Sequence, residues 1–330
     1  MKLADLAAIA GVSTATVSRA LAGHPSVARE TRERIRALAQ QYEVRPNQLA
    51  RNLRLRSTGA IGVAMPLGHA PRQQLTDPFF LTLLGFLADR LVERGYDILL
   101  SRVLPRGGQW LDELVDSGRI DGLILIGQSD QFETIERVAA RYAPLVVWGV
   151  NRVGQRHVAV GSDNITGGRL AASHLTGLGR RRLLFVGDPA PPEFAERLVG
   201  FCDGAAQHGA HVDVLDTAMQ SDAVFEATSR WLARGIMPDA VFAASDVAAM
   251  AVMRAVAASG RSVPRDIAVI GYDDIPLAAT TVPSLTTIRQ DLGTGATLMV
   301  DRLFALIAGE EAAPAIVPPQ VVARGSTAAG

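Results

Sequence analysis

Arg19 is the first side chain whose type and setting point to chemistry. Its guanidinium offers paired donors in a planar fork, which match two acceptors on a guanine edge. It closes the run Gly11-Val-Ser-Thr-Ala-Thr-Val-Ser-Arg19. A chain that leaves one helix and enters another within about four residues needs a residue tolerant of positive φ, and Gly11 supplies it. Ser13 stands where the second helix begins, with a hydroxyl able to accept from a first-turn amide. Thr14, Ala15 and Thr16 then occupy that first turn, with Ser18 and Arg19 one turn on. These are the positions a major-groove reader sets against base edges. The same pattern also suits a helical hairpin with a surface arginine, so the surrounding elements must decide.

Other chemistry finds little footing. No G-x-G-x-x-G follows a strand pattern, and no glycine-rich loop ends in Gly-Lys-Ser/Thr, so a nucleotide lacks its phosphate cradle. Cys202 has no histidine partner in its motif, and His208 with His211 falls far below a metal-site signal. The pair Asp273-Asp274 would diverge in an extended segment. No catalytic residue, metal site or cofactor is assigned.

The elements around Arg19 favour a compact helical head. Leu3, Leu6, Ala7 and Ala10 recur at three-to-four spacing, and Val12, Val17 and Leu21 continue the apolar face. A third helix is predicted from Arg29 to Tyr42, with Ile35, Leu38, Ala39 and Tyr42 on one side. Pro46 disfavours helix at Arg45, and a short basic segment runs from Asn47 to Arg56. Residues 1–58 hold ten Lys or Arg and four Asp or Glu, a net of +6, against 23 and 29 in the remainder, a net of −6. The overall charge of zero therefore hides a basic head, the expected footprint of phosphate binding. The sequence divides into a headpiece at 1–45, a hinge at 46–58 and a large domain at 59–330.

That large domain reads as α/β. Ala60–Met65, Asp97–Leu100, Gly122–Ile126 and Pro144–Trp148 form one series of apolar runs. His157–Val160, Arg182–Val186, Ala240–Ala243 and Ile267–Ile270 form a second. Helical patterns separate most of them, which implies parallel sheets covered by helices in two lobes. The single cysteine excludes a disulfide framework. The apolar stretch from Leu3 to Val12 is short and carries Asp5, so it is read as helix rather than signal peptide, and no run approaches membrane-spanning length. A cytoplasmic protein is expected.

Asp5-Leu-Ala, Ala10-Gly-Val-Ser13, Thr16-Val-Ser-Arg19, Thr31-Arg32 and Pro46-Asn47 together resemble the headpiece of the LacI/GalR family of bacterial repressors, in order and spacing. The resemblance runs essentially end to end. It implies that Thr14, Ala15 and Arg19 read bases and that Ser13, Thr16, Ser18 and Asn47 contact phosphates. It also implies a hinge helix carrying Ala50, Leu53 and Arg54 onto DNA, with Leu53 as a minor-groove wedge; packing of Leu53 on the next domain is the plainer alternative. Three residues depart from the family pattern: Lys2 and Ala28 replace capping hydroxyls, and Ala22 replaces a phosphate-contacting asparagine.

For the large domain the resemblance implies a two-lobed periplasmic-binding-protein-like core with crossings near Val158, Ile288 and Val317. The first lobe would comprise about 59–158 plus 289–317, and the second about 159–288 plus 318–330. An effector would lie between them, near Phe79, Phe80, Trp148, Asp163, Arg197, Ser245 and Asp273. Arg197 and Asp273 can bracket vicinal hydroxyls, one donating and the other accepting, while Phe79 and Trp148 offer faces to a sugar ring. Phe79, Phe80 and Trp148 also suit plain core packing, and Asp273 a turn cap. The implied molecule is a homodimer on a palindromic double-stranded operator, released by a small carbohydrate. Its dimer surfaces would neighbour the helices at Phe80–Arg94 and Thr294–Leu306. A sugar-binding protein or enzyme on the same lobes is the alternative, and it leaves the basic head unexplained.

Overall fold

A computed structural model describes residues 3–21, 24–42, 57–66, 76–103, 108–128, 130–235 and 237–328, the side chain of residue 102 excepted. The chain separates into two compact units, residues 1–58 and 59–330. The expected hinge residues Asn47, Ala50, Leu53 and Arg54 lie outside the described residues, as do Lys2 and Ala22.

The first unit contains α1 (Leu3–Ala10), α2 (Thr14–Leu21) and α3 (Arg29–Gln41). Gly11 makes the predicted turn at φ +62°. Leu6, Ala7, Ala10, Val17, Ala20, Val27, Ile35 and Ala39 form its small core. The Arg34 side chain donates to the Ala10 carbonyl at 2.9 Å, closing the C-terminal end of α1. Ala28 precedes α3 and supplies no side-chain cap. Tyr42, expected on the packed side, stands exposed just past the last turn of α3.

The second unit holds two six-stranded sheets. One has the order β11-β5-β4-β3-β1-β2, built from β1 (Ala60–Pro66), β2 (Asp97–Val103), β3 (Gly122–Ile126), β4 (Leu145–Trp148), β5 (Val158–Ser162) and β11 (Ala315–Val317). The other has the order β12-β10-β9-β8-β6-β7, built from β6 (Arg182–Gly187), β7 (His211–Asp216), β8 (Ala240–Ala243), β9 (Ala268–Asp273), β10 (Thr286–Arg289) and β12 (Gln320–Val322). Every pairing is parallel except that of β10 with β12. Each order reverses once, at β1 in the first sheet and at β6 in the second. Parallel α/β sheets place ligands beyond the carboxyl ends of strands near such reversals.

The first crossing differs from expectation. Val158–Ser162 pairs with β4 at Val146↔Val158 and with β11 at Ala315↔Val160, so it closes the first sheet rather than opening the second. The chain changes lobes after Ser162, between Arg289 and Leu292, and between Val317 and Gln320. Strand β7 was not among the expected apolar runs: His, Asp and Val share an edge strand that is only partly buried, so its residues lack a continuous apolar signature.

Helices α4 (Pro78–Glu93) and α11 (Leu292–Ile307) cover the first sheet, burying Phe80, Leu83, Leu87 and Leu91 from one and Met299, Val300 and Leu303 from the other. Each fully buried leucine of this kind contributes about 1.5–3 kcal/mol. Leu81 of α4 is 50% exposed. The stripe through Phe80, Leu83, Leu87 and Leu91, three to four residues apart on one helix face, packs on the sheet. In the second lobe, α7 (Asn164–Gly177) and α8 (Pro192–Gln207) approach closely. A Cβ at Gly168 would overlap the Arg197 carbonyl, and one at Gly200 would overlap the Ile165 carbonyl. These glycines bring the backbone bearing Arg197 against α7.

Candidate DNA-reading surface and effector cleft

In the first unit, Ser13 performs the predicted capping role. Its Oγ accepts from the Thr16 amide at 3.1 Å and lies 2.9 Å from Thr16 Oγ1. The hydroxyls of Ser13 and Thr16 therefore stabilise the start of α2. Thr14, Ala15 and Arg19 are exposed, Ser18 is half-buried, and Val17 and Ala20 turn into the core. The surface of α2 thus presents a hydroxyl, a methyl and a guanidinium on a helix whose other face is fixed by packing. That is a donor and contact set suited to base edges.

The second unit contains a cleft with about 760 Å³ of space not filled by protein. Its walls come from both lobes. Pro66, Ile126 and Trp148 end β1, β3 and β4, while Asp273 ends β9 and Ser245 follows β8. The cleft therefore lies at the carboxyl ends of strands in both sheets, as parallel topology favours.

Of the expected residues, Phe79, Phe80, Trp148, Arg197, Ser245 and Asp273 line this cleft. Asp163 is not among the lining residues. Its carboxylate caps α7, accepting from the Thr166 amide at 2.9 Å and the Thr166 hydroxyl at 2.7 Å. Ser245 lines the cleft while capping α10 (Asp246–Ala258), where its Oγ accepts from the Ala248 amide at 3.2 Å. Phe80 belongs mainly to the first-lobe core. Trp148 is 4% exposed, and its ring occupies the slot left by Gly295 of α11, so packing holds it and little of its surface meets the cleft. Phe79 sits 6.3 Å from Trp148 and 5.4 Å from Phe80, measured between ring centres.

Arg197 and Asp273 form the polar centre. Arg197 is 4% exposed; its Nε donates to Asn164 Oδ1 at 3.0 Å and its Nη1 to the Ala244 carbonyl at 2.6 Å. Its guanidinium lies over the Tyr272 ring, 3.6 Å from the centroid. Asp273 accepts from Gln290 Nε2 at 2.7 Å and stands 4.0 Å from Arg197 Nη1. Burial pushes the Asp273 carboxyl up to about 7, with Asp77 adding to the effect and Arg197 opposing it. Asp273 also holds φ at 115°, a strained backbone for a residue with a side chain. Asp246, buried beneath it, accepts from the Thr287 hydroxyl at 2.6 Å and the Ile275 amide at 2.9 Å. Its own carboxyl is pushed well up, first by burial and then by the charge of Asp273.

Glu193 and Phe194 also line the cleft and were absent from the expected set. Helical spacing carried a signal for Glu193: it follows Pro191-Pro192 in the first turn of α8, four residues before Arg197, so the two share a face. Burial pushes the Glu193 carboxyl upward, while Arg197 and the Gln128 backbone amide oppose the shift.

The model of the lacI family of bacterial regulatory proteins matches residues 2–47, and that of the periplasmic binding protein-like domain matches residues 172–327. The HTH-type transcriptional regulator MalR of Streptomyces coelicolor is 31% identical over 346 residues, spanning 99% of this chain and 96% of the relative. The solved lac repressor dimer bound to operator and the anti-inducer ONPF is 27% identical with a TM-score of 0.84, over 100% of this chain and 99% of the other. The complex of the transcriptional regulator CelR with cellobiose is 28% identical with a TM-score of 0.71, over 98% and 99%. A three-helix head with an exposed reading face, followed by a two-lobed α/β unit similar along nearly its whole length to such regulators, places the chain in the lacI family of bacterial transcriptional regulators.

Proposed function

We propose that this chain is a cytoplasmic, dimeric repressor that binds a palindromic operator and leaves it when a small carbohydrate enters the cleft. The observation that carries this reading is the presence in one chain of a base-reading helix surface and a separate cleft that pairs a buried arginine and carboxylate with aromatic walls. The operator-bound lac repressor dimer supports the DNA half, and the cellobiose complex of CelR supports the effector half.

In this reading Thr14, Ala15 and Arg19 meet bases, Ser13, Thr16, Ser18 and Asn47 meet phosphates, and Ala50, Leu53 and Arg54 belong to the hinge contact. Phe79, Arg197, Ser245 and Asp273 hold the effector; Phe80 and Trp148 support the wall. The protein binds its carbohydrate without transforming it. A two-fold dimer sets two copies of α2 on two half-sites, so the operator repeats with inverted symmetry. Effector release of DNA requires different effector affinities in the DNA-bound and free conformations.

Selection of genomic fragments on the purified full chain is expected to return an imperfect palindrome. A sugar panel then tests which compound lowers operator affinity. Enrichment of no sequence overturns the repressor reading, and release only by nucleobases or amino acids overturns the carbohydrate reading.

A further inference from the structure

The Asp273 carboxyl stands on a backbone that does not keep its shape unaided. Asp273 at φ 115° and Asp274 at φ 57° are the only non-glycine residues with positive φ among the described residues. Aspartate tolerates the second value, but the first is a strained conformation that persists only where the surroundings impose it. Rotation about the N–Cα bond of Asp273 swings its Cβ. Relaxation to negative φ would therefore carry the carboxyl away from Arg197 and Gln290.

What imposes the turn lies behind the cleft. Asp274 is not among the lining residues. Its Oδ2 accepts from Arg289 Nε at 2.7 Å, its Oδ1 from Arg324 Nη2 at 2.6 Å, and its amide donates to Thr287 Oγ1 at 3.3 Å. Arg324 is fixed in turn: its Nη1 donates to the Leu285 carbonyl and its amide to Thr286 Oγ1, each at 2.8 Å. The side chains of Asp274 and Arg324 are 10% and 18% exposed, so solvent screens this charge-assisted pair little. Arg289 is 47% exposed and is the weaker holder. It pairs in register with Asp273 at the end of β10, just before the chain crosses to α11, while Arg324 follows β12, just after the return crossing. Two segments that join the lobes thus meet on one carboxylate.

We propose that Arg324, supported by Arg289, is a positioning residue of the effector cleft: by gripping Asp274 it holds the strained turn that presents the Asp273 carboxyl. The inference rests on the effector reading above only for what Asp273 does once it is placed.

Carbon-13 NMR of the aspartate carboxyls, on the full chain without ligand, follows the Asp273 titration through the resonance that Asp273→Asn removes. In the parent this carboxyl titrates at about 7, with Arg197, Asp77 and Asp246 around it. Loss of a neighbouring cation by itself raises a carboxyl's pKa or leaves it in place. Arg324→Gln is expected to move the midpoint the other way, down by about one pH unit or more, because the released carboxyl meets water. Arg289→Gln moves it down by less, and Arg324→Lys, which keeps the charge and a donor, stays within about half a pH unit of the parent. The more exposed Arg289→Gln decides if R324Q folds poorly. A midpoint unchanged or raised in both glutamine variants overturns the proposal even where Tm falls, since a purely structural ion pair gives that result. Calorimetry then uses cellobiose, maltose, glucose and ribose. Any of these that the parent binds is expected to bind R324Q about tenfold more weakly, and undiminished binding overturns the proposal. Binding of none of them, with the midpoint lowered, supports the positioning role and counts against the carbohydrate reading.

Discussion

At the scale of single residues, Asp273 links charge, strain and binding. Its carboxyl is held among Arg197 of α8, Asp77 at the start of α4, Asp246 of α10 and Gln290, with Asp274 next in sequence. Burial raises it from 3.8 to about 7, so the folded, ligand-free chain keeps a proton that the unfolded chain has already released. Its contribution to stability is therefore full below about 4 and is lost as pH rises through about 7. Asp273→Asn removes that dependence while tolerating positive φ. Thermal unfolding without ligand is expected to show a higher Tm than the parent at pH 8, and calorimetry an effector affinity about tenfold or more weaker, since a charge-assisted acceptor is lost. A lower Tm at pH 8 would contradict the assignment. For the DNA face, Arg19→Ala is expected to cost about 1–3 kcal/mol of discrimination at one base pair of each half-site, read by competition between operator and point-altered operator. In the sequence, Arg19 was singled out by its type and helix position, and Asp273 by the family resemblance that sets it beside Arg197. Glu193 was harder to see: its significance depends on the opposite wall of the cleft.

At the scale of elements, side-chain caps mark where several helices begin, and α3 is among those that lack one. Asp77, Asp163, Ser245 and Asp291 each accept from an amide in the first turn of the helix they open. Ala28 has the extended backbone of a cap at φ −53° and ψ 146° but no acceptor. Ala28→Ser is expected to stabilise the first unit by about 1 kcal/mol, measurable by chemical denaturation. The contact of α7 with α8 is the opposite case, an element pair with no room to spare. Gly200→Ala forces the helices apart and is expected to destabilise the second unit by about 1–3 kcal/mol, seen as a lower Tm with weaker effector binding through the displaced Arg197. An unchanged Tm would show that the helices part without cost. Caps and turns were readable because they act over three or four residues. Asp163, expected at the cleft, shows how local bonding also bears on a site residue: its carboxylate caps α7, and it is not among the residues that line the cleft.

At the scale of the whole molecule, the uneven charge predicts behaviour that neither residue nor element shows. The net charge of +6 on residues 1–58 should make operator binding fall steeply with salt, by about 10³–10⁵ between 50 and 200 mM if a dimer neutralises six to ten phosphates. Fluorescence anisotropy across a salt series checks this, and a shallow slope would rule out a phosphate-dominated interface. Effector affinity, set by contacts inside the cleft rather than by phosphate neutralisation, should vary far less. The sequence by itself determined the helical head, the Gly11 turn, the Ser13 cap and the alternation of strands and helices, because each depends on a residue's own preferences or on neighbours a turn away. Only the tertiary structure decided that Val158–Ser162 closes the first sheet, that Leu81 faces outward, that Trp148 is wedged against Gly295, and that Glu193 lines the cleft with Arg197 and Asp273. Those outcomes rest on which surfaces meet across long stretches of chain, where strand pairing, close packing and burial override local preference.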